Sequence, residues 1–291
     1  MGIDIHGLNF LRYAKNKKFL GETLTIGRQG LHVREPVVKD LIKTSPTYKN
    51  DTYCEALLIE YFGATNVQSI DNSDYEKATH VHNMNDPIPQ SLVSKYDTVI
   101  DGGCLEHIYN APQALRNCSQ FLKPGGQIIH MLPANNFCGH GFWQFSPELF
   151  FSLYSEANGY QDTEVFLADL SNTKKWFFVH KPENGTRVNA TSSKPLYVLA
   201  RTVLKAAEFN HSNVQQSDYI YQWHNSETQD PASQARNYAH RVKDRLKKIP
   251  LAYKTLSPMY NSYLQAIGSR SLTKNNPGLA PIEVNKLIHS S

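Results

Sequence analysis

Two stretches decide the predicted fold: YDTVIDGGCLEHI, residues 96–108, and KPGGQII, residues 123–129. The first runs from an apolar, β-branched segment into two glycines, which is typical of a buried strand that ends in a tight loop. The second begins with a Lys-Pro-Gly-Gly turn, which terminates a helix, and it continues into another apolar strand. Between them, residues 112–122 carry apolar side chains at the spacing of one helix face: Ala114, Leu115, Cys118, Phe121 and Leu122. The segment therefore predicts a strand, a helix and a second strand.

The same alternation extends toward the N-terminus. Short apolar runs predict strands at residues 24–26, 67–70 and 79–82, and a helical pattern covers residues 51–62. Thr52 and Glu55 match a capping box at the start of that helix, and Gly63 supplies the left-handed residue that closes many helices. Asn110 is the predicted cap of the helix at 112–122. Alternating strands and helices predict an α/β, doubly wound sheet.

The pattern of predicted strands and helices changes in the second half of the chain. Residues 164–170 and 176–179 predict two strands joined by the polar segment SNTKK, hence a closing antiparallel hairpin. A further helix is predicted to open at residues 146–147. Residues 182–194 are polar and indicate a linker, after which residues 196–209 and 233–249 have helical patterns. We therefore predict two domains: residues 1–180, and a mainly helical, basic C-terminal appendage at residues 181–291.

The charge distribution differs between the two predicted domains, and the cysteines and the hydropathy of the sequence indicate the compartment in which the protein works. Residues 1–180 contain 15 Lys and Arg against 19 Asp and Glu, whereas residues 181–291 contain 15 against 7. The four cysteines show no C-x-x-C pairing, which fits a reducing compartment. The first 19 residues lack the apolar run of a secretory signal, and no window of 18 residues is uninterruptedly apolar. We expect a soluble, cytoplasmic protein with no transmembrane segment, and the sequence leaves its oligomeric state open.

Polar and glycine-containing loops follow each predicted strand of the first domain. Ligands of open parallel sheets bind beyond the carboxyl ends of the strands, near the point where the strand order reverses. The loops there are residues 27–30, Asp71, Asn83 and residues 101–107. Gly27 would let the backbone approach a ligand closely, and a carboxylate at Asp71 could accept hydrogen bonds from both hydroxyls of a ribose. The loops therefore predict a nucleoside site.

Two common nucleotide-binding motifs are absent from the sequence. A dinucleotide fold needs G-x-G-x-x-G and an acidic residue about 20 positions later. Here Gly27 and Gly30 are three positions apart, and Asp71 lies much farther along the chain. The P-loop signature G-x-x-x-x-G-K-[ST] does not occur. Nicotinamide cofactors and nucleoside triphosphates are therefore disfavoured.

Residues 96–108, 112–122 and 123–129 together resemble class I S-adenosylmethionine (SAM)-dependent methyltransferases, over about the first 180 residues. In that family a Leu-Glu-His element follows the fourth strand, here residues 105–107, and the next helix ends in a KPGG turn before another strand. The resemblance is greatest to bacterial methyltransferase-domain proteins with the loop NNFCGHGF, here residues 135–142. It implies the Rossmann-like sheet of that family and SAM as the cofactor.

The resemblance also implies a set of cofactor-binding residues. Gly27 would flank the methionine moiety, Asp71 would hold the ribose, Asn83 would face the adenine, and the loop 101–107 would border the sulfonium. The implied set is Gly27, Arg28, Gly30, Asp71, Asn83, Asp101, Gly102, Gly103 and Glu106. The chain departs from the family in its first loop, which lacks the usual acidic-x-Gly-x-Gly-x-Gly. Asn83 also stands where an aspartate is common, so charge-assisted pairing with the adenine amino group would be lost.

Methyl transfer from a sulfonium depends mainly on in-line positioning of the acceptor, and a general base helps when that acceptor is a hydroxyl. His107 and His140 are the candidate catalytic bases. Several residues of the sequence could in principle ligate a metal, but they show no recognised zinc spacing, so no metal site is predicted. These residues are His80, His82, Cys104, His107, Cys138 and His140.

The sequence therefore predicts SAM-dependent methyl transfer to a small molecule or a glycan precursor, with residues 181–291 shaping substrate access. One alternative is a catalytically degenerate methyltransferase fold that serves as a binding or scaffolding module, which the irregular first loop suggests. Another is an RNA methyltransferase that uses the basic segment 233–249. Nucleic-acid binding is the less favoured interpretation, because most clusters of basic residues, such as the one at 233–249, are solvated faces of helices.

Overall fold

A computed structural model describes residues 2–42, 52–206, 208–212, 214–225, 250–266, 268 and 270–289. The helices are α1 (Ile5–Lys17), α2 (Glu35–Ile42), α3 (Glu55–Glu60), α4 (Ala111–Phe121), α5 (Pro147–Leu153), α6 (Ser217–Asn225), α7 (Pro250–Ala266) and α8 (Val284–His289). The strands are β1 (Gly2–Ile3), β2 (Gly21–Ile26), β3 (Gly30–Leu31), β4 (Ala64–Asp71), β5 (His80–Val81), β6 (Tyr96–Asp101), β7 (Leu122–Asn135), β8 (Tyr160–Asp169), β9 (Lys175–Val179), β10 (Leu196–Leu204) and β11 (Leu279–Glu283).

The main sheet has the strand order β11-β9-β8-β10-β7-β6-β2-β4-β5 within the described residues. Strands β5, β4, β2, β6 and β7 are parallel to one another. From β2 the chain continues to β4 and β5 on one side, and it then returns to β6 and β7 on the other. The order therefore reverses between β2 and β6, which is the topological switch point where open α/β sheets bind ligands.

The far side of the sheet is antiparallel. Strand β10 lies between β7 and β8 and runs against both. Strands β8 and β9 form the predicted hairpin, with Phe166 opposite Phe178, and β11 extends the edge beyond β9. The predicted fold class is therefore confirmed: an α/β, Rossmann-like doubly wound sheet with a closing antiparallel hairpin.

Strand β10 corrects the predicted helix at residues 196–209. A short apolar run that is buried in a sheet cannot be told from a buried helix by periodicity alone, and here every residue from Val198 to Leu204 is buried. The predicted domain boundary between residues 180 and 181 is wrong as well, because β10 and β11 complete the sheet that the first 180 residues begin. Helices α6, α7 and α8 do lie in the second half, whereas the predicted helix at 233–249 falls outside the described residues.

Helix α1 was not predicted. Asp4 caps it by accepting a hydrogen bond from the backbone N–H of Gly7, at 2.9 Å. Its buried face includes polar side chains as well as apolar ones, namely His6, Asn9 and Arg12, so the sequence lacks a clear apolar stripe. The helix packs on the sheet through ring contacts of Phe10 with Phe166, at 6.0 Å between centroids.

The predicted helix ends had mixed outcomes. Asn110 caps α4 as predicted, since its side chain accepts from the backbone N–H of Gln113. Gly63 follows α3 with the expected left-handed backbone, φ +75°. The capping box of Thr52 and Glu55 does not form: α3 begins at Glu55, and Cys54 stands at its N-cap without a side-chain hydrogen bond.

Apolar side chains fill both faces of the sheet. Helices α4 and α5 pack on one face, where Leu115, Phe121 and Phe150 join the core. Helices α1, α3 and α8 cover the other face, through residues such as Phe10 and Leu58. Within the described residues, none of the helices is both long and apolar enough to cross a bilayer. Because helices cover both faces of the sheet, a ligand can bind at the edges, where the loops lie.

A polar cluster is buried beside β8. The hydroxyl of Tyr160 lies 2.6 Å from Ser119 Oγ and 2.7 Å from His211 Nε2. Among the described residues, Nδ1 of His211 is buried without a hydrogen-bond partner. Burial, and secondarily the nearby Arg116, lowers the pKa of His211 from 6.5 to about 4. The folded protein therefore disfavours the protonated imidazole.

This shift predicts a pH dependence of stability. Above pH 6.5 His211 is neutral in both the folded and the unfolded chain, and between about pH 6.5 and pH 4 the unfolded chain binds more protons. The free energy of unfolding should therefore fall by about 1–2 kcal/mol from pH 7 to pH 5 through this group. In urea unfolding, His211→Gln should lose this component, and the exposed His224→Gln should keep it. Parallel pH profiles for wild type and His211→Gln would contradict the assignment.

Candidate active site at the carboxyl edge of the sheet

The loops after β2, β4 and β6 start side by side. Ile26 pairs with Ile70 on one side and with Asp101 on the other, so the three strands end at the same level. The backbone N–H of Gly27 donates to the carbonyl of Ile70, at 2.7 Å. Val81 pairs with Asp71 and brings the loop after β5 to the same edge. The structure thus brings together the four loops that the sequence singled out.

The first loop closes tightly over the switch point. Gly27 has a left-handed backbone, φ +71°, which a glycine adopts without strain. The side chain of Gln29 is buried, and its Nε2 donates to the carbonyl of Ile26, at 2.6 Å. A Cβ atom on Gly102 would lie only 2.5 Å from Oε1 of Gln29. The glycine therefore allows the loops after β2 and β6 to touch.

The N-terminal strand lies beside this contact. Gly2 pairs with Gly30, and the backbone N–H of Gly2 donates to the carbonyl of Gly102, at 3.3 Å. Strand β1 thereby covers one side of the first loop. No sequence pattern predicted this pairing, because a strand of two residues has no periodicity to detect.

The side chain of Arg28 contacts the start of α3 and the loop after β4. Its Nε lies 2.7 Å from a carboxylate oxygen of Glu55, and its Nη1 donates to the carbonyl of Glu76, at 2.9 Å. The guanidinium also stacks 3.9 Å above the ring of Tyr53. These contacts hold the first loop against the start of α3.

The second and third loops are more exposed. Asp71 is half-buried, and its Oδ1 accepts from the backbone N–H of Asn72, at 2.6 Å. Asn83 is exposed, and its side chain is bonded to Asn85 and to Asp86. Asp71 therefore lies at the sheet edge with its Oδ1 bonded to the next residue, and Asn83 is bonded within its own turn.

Asp101, at the end of β6, is fully buried. Its Oδ1 accepts from the backbone N–H groups of Cys104, at 3.0 Å, and Leu105, at 3.4 Å. Its Oδ2 lies 2.9 Å from Nδ1 of His130, whose Nε2 lies 2.8 Å from the hydroxyl of Tyr154. Both carboxylate oxygens are therefore occupied by the protein, and Asp101 shapes the loop from within.

The donors in this buried chain follow from its chemistry. An ionised carboxylate only accepts, so Nδ1 of a neutral His130 carries the proton, and Nε2 then accepts from the hydroxyl of Tyr154. Burial raises the pKa of Tyr154 well above its ordinary value, which keeps that hydroxyl protonated. These three residues form a hydrogen-bonded relay. Tyr154 donates to His130, His130 donates to Asp101, and Asp101 accepts from the backbone of the loop 102–105.

Removing one end of the relay should cost stability. Tyr154→Phe leaves Nε2 of the buried His130 without its donor, which should lower the free energy of unfolding by about 1–3 kcal/mol. Urea unfolding followed by circular dichroism measures this difference. The control is Tyr75→Phe, which removes the same hydroxyl from a side chain that is 90% exposed and should change nothing. Equal effects of the two substitutions would show that the relay does not stabilise the fold.

Glu106, His107 and His140 form a cluster beside this loop. Glu106 is buried, with Oε1 lying 3.4 Å from Nε2 of His140 and 4.0 Å from Nε2 of His107. The side chains of His107 and His140 are 44% and 53% exposed, and their ring centroids are 4.9 Å apart. The two predicted catalytic histidines therefore meet at one point of the surface, with a carboxyl group beneath them.

Electrostatics at this cluster favour proton exchange near neutral pH. Burial, together with the nearby Asp101, raises the pKa of Glu106 from 4.5 to about 8. Burial, with a further contribution from His140, lowers the pKa of His107. A buried carboxyl group whose pKa is raised into this range can take up or release a proton near neutral pH.

Sequence reasoning missed three residues of this edge: Gln29, His130 and Tyr154. Gln29 stands between the glycines of the first loop, so its position was a usable signal. His130 is a polar residue inside the apolar run from Ile128 to Leu132, which indicates a buried partner without revealing which one. Nothing in the sequence connects Tyr154 to it, because they are joined only by the packing of α5 on the sheet.

The residues considered as metal ligands do not all come together. His80 contacts Gln68 and Tyr96, and His82 lies near the carbonyl of Asp86. Cys104 is largely buried, and burial raises the pKa of its thiol well above the ordinary value. In the described part of the chain, the group that could hold an ion is Glu106, His107 and His140, whose ligand atoms lie within 4.8 Å of one another.

Neither a protein-family model nor a curated protein sequence matches the chain. Solved structures with a similar fold include a SAM-dependent methyltransferase of Thermotoga maritima described as a possible histamine N-methyltransferase. It is 14% identical with a TM-score of 0.39, over 69% of this chain and 92% of that one.

Two further solved structures are similar to the chain. The N-methyltransferase NodS of Bradyrhizobium japonicum is 13% identical with a TM-score of 0.36, over 68% of this chain and 93% of that one. A 1,6-didemethyltoxoflavin-N1-methyltransferase of Burkholderia thailandensis, solved with its substrate and S-adenosylhomocysteine, is 11% identical with a TM-score of 0.39. That alignment covers 69% of this chain and 79% of the other.

Proposed function

We propose that this protein is a SAM-dependent methyltransferase that acts on a small molecule. The observation that carries the proposal is the meeting of the loops after β2, β4 and β6 at the switch point, with glycines where a ligand would approach the backbone. Asp71 stands on one side of this meeting point and Glu106 on the other. A nucleoside ligand and an acceptor would each find suitable groups there.

The residues present fit the proposed cofactor. Oε1 of Gln29 and Oε2 of Glu106 are buried and have no hydrogen-bond partner among the described residues. Buried acceptors are normally satisfied, so two of them flanking the Gly102–Gly103 turn suit a ligand that brings donors or positive charge. SAM has both an ammonium group and a sulfonium, and the sulfonium supplies an activated methyl group when bound.

Each predicted residue then has a defined task. Asp71 would accept hydrogen bonds from ribose hydroxyls, and Gly27 and Gly102 would admit the ligand close to the backbone. Arg28 and Asp101 would act indirectly, because their contacts hold the first loop and the loop after β6. Gly30 would act through its pairing with Gly2. Asn83 would contribute by shaping the edge where adenine is expected.

The acceptor side is lined by exposed aromatic rings. Phe142 and Tyr109 are 67% and 75% exposed and form an edge-to-face pair with centroids 6.3 Å apart. Trp143 donates from its indole N–H to the carbonyl of Ile108, at 3.0 Å. Aromatic faces beside a polar cluster favour a flat, partly apolar acceptor. Glu106, His107 or His140 would remove a proton from it where the acceptor atom requires that.

A second candidate is a methyltransferase fold that no longer catalyses transfer and serves as a binding module. The observation that favours it is strand β1, which lies against the first loop and whose Gly2 N–H is bonded to the carbonyl of Gly102. If β1 closes the space for the methionine end of the cofactor, the protein should be stable and should not bind SAM.

Calorimetric titration with SAM and with S-adenosylhomocysteine separates the two candidates. The wild-type protein should bind both, and Asp71→Asn should weaken binding by about 10-fold to 100-fold through the loss of charge-assisted hydrogen bonds. Release of S-adenosylhomocysteine during a screen of small-molecule acceptors would then show turnover.

The matched control is Asp74→Asn, an exposed aspartate of the same loop, which should leave the affinity unchanged. Absence of binding by the folded protein at millimolar cofactor would overturn the proposed function. If the wild-type protein binds the cofactor and Asp71→Asn binds it as tightly as Asp74→Asn does, the proposed cofactor stands but Asp71 does not hold it.

A further inference from the structure

We propose that Glu106, His107 and His140 bind a single divalent transition-metal ion of the Zn²⁺ or Co²⁺ class. The three side chains offer one carboxylate oxygen and two imidazole nitrogens. Imidazole suits zinc, copper, iron and nickel, and a pair of histidines with one carboxylate is a known ligand set of catalytic zinc and of non-haem iron. The sequence predicted no metal site, because its histidines and cysteines show no recognised zinc spacing, and Glu106 was not among the ligands considered.

The carboxyl group of Glu106 is built into the protein. The residue is 1% exposed, and its Oε2 has no hydrogen-bond partner in the described part of the chain. A buried, unpaired carboxylate is costly unless a positive partner compensates it. A cation between Oε1 and the two imidazoles would compensate the negative charge of this buried carboxylate.

The loop that carries His140 is fixed to Glu106 through the backbone. The carbonyl of Glu106 accepts from the N–H of Phe142, at 2.6 Å, and from the N–H of Trp143, at 3.3 Å. Gly141 has φ +71°, and a Cβ atom there would lie 2.7 Å from the carbonyl oxygen of Glu106. Only glycine permits this approach, so the loop geometry serves to hold His140 above the carboxyl group.

The distances suit an ion after small side-chain movements. Nε2 of His140 and of His107 lie 3.4 Å and 4.0 Å from Oε1 of Glu106, and ligand atoms around one such ion are about 3.3 Å apart. Both imidazoles are about half-exposed, at 44% for His107 and 53% for His140. Three protein ligands leave a coordination position open toward solvent, as in catalytic metal sites. Phe142 and Tyr109, whose rings pair at 6.3 Å, each lie two residues after one of the two histidines, and we place the acceptor beside them.

Metal binding does not depend on the proposed methyl transfer, so it can be tested without SAM. The test uses the full chain without an affinity tag, in the Cys138→Ser background, so that the exposed thiol of the same loop does not contribute. After removal of bound metal with a chelator, Co²⁺ is added and its visible d–d absorption is recorded. The protein should bind one equivalent, and Zn²⁺ should displace it.

Single substitutions then assign the ligands. Glu106→Gln, His107→Ala and His140→Ala should each weaken Co²⁺ binding by at least about 100-fold, because even outer-shell changes cost 10-fold to 100-fold. The control is His180→Ala, an exposed histidine whose backbone N–H, rather than its ring, bonds to Gly278. Circular dichroism verifies that each variant is folded.

The exposed loop position of His140 makes His140→Ala the decisive variant, since its removal leaves the core untouched. The proposal is overturned if the folded wild-type chain shows no saturable Co²⁺ binding. It is equally overturned if binding persists in both His140→Ala and Glu106→Gln, which would indicate adventitious metal on other side chains.

Discussion

The carboxylate of Asp101 is the constraint on which the candidate site depends. It is buried at the end of β6, and it holds the backbone of Cys104 and Leu105 on one oxygen and His130 on the other. A buried charge is tolerated only when its hydrogen bonds are satisfied, so the loop must fold around it. The hydrogen bonds of Asp101 therefore fix the position at which the Gly102–Gly103 turn contacts the first loop. They also fix the position of Glu106 farther along the same loop.

Two chemically different surfaces result from that one anchor. Toward β2 and β4, glycines, Gln29 and Asp71 offer backbone access and hydrogen-bond acceptors, which suits a nucleoside. Toward the loop after β7, Glu106 lies beneath His107 and His140, beside exposed aromatic rings. The site therefore separates groups that would bind a cofactor from groups that would act on an acceptor or hold an ion, over a few residues of one loop.

Local patterns predicted the parallel strands, because each of them ends in a turn signal. They also predicted helices at the places of α3 and α4, whose apolar residues line one face, and the cap of α4 at Asn110. They failed for α1 and β10 for different reasons. The buried face of α1 carries His6, Asn9 and Arg12, so its apolar period is obscured. In β10 the residues from Val198 to Leu204 are all buried, the polar Arg201 and Thr202 among them, so no alternation of buried and exposed positions marks a strand. In both cases the surrounding sheet, rather than intrinsic propensity, selects the element.

The sequence by itself determined the order of strands and glycine-containing loops, and with it the adjacency of Glu106 and His107 after the fourth predicted strand. Only the tertiary structure decided that Asp101 is a buried anchor, that Gln29 reaches Gly102, and that His140 returns to Glu106. The reason is physical: loop chemistry is local, whereas these contacts require the close backbone approaches at Gly102 and Gly141 that exist only once the sheet has assembled.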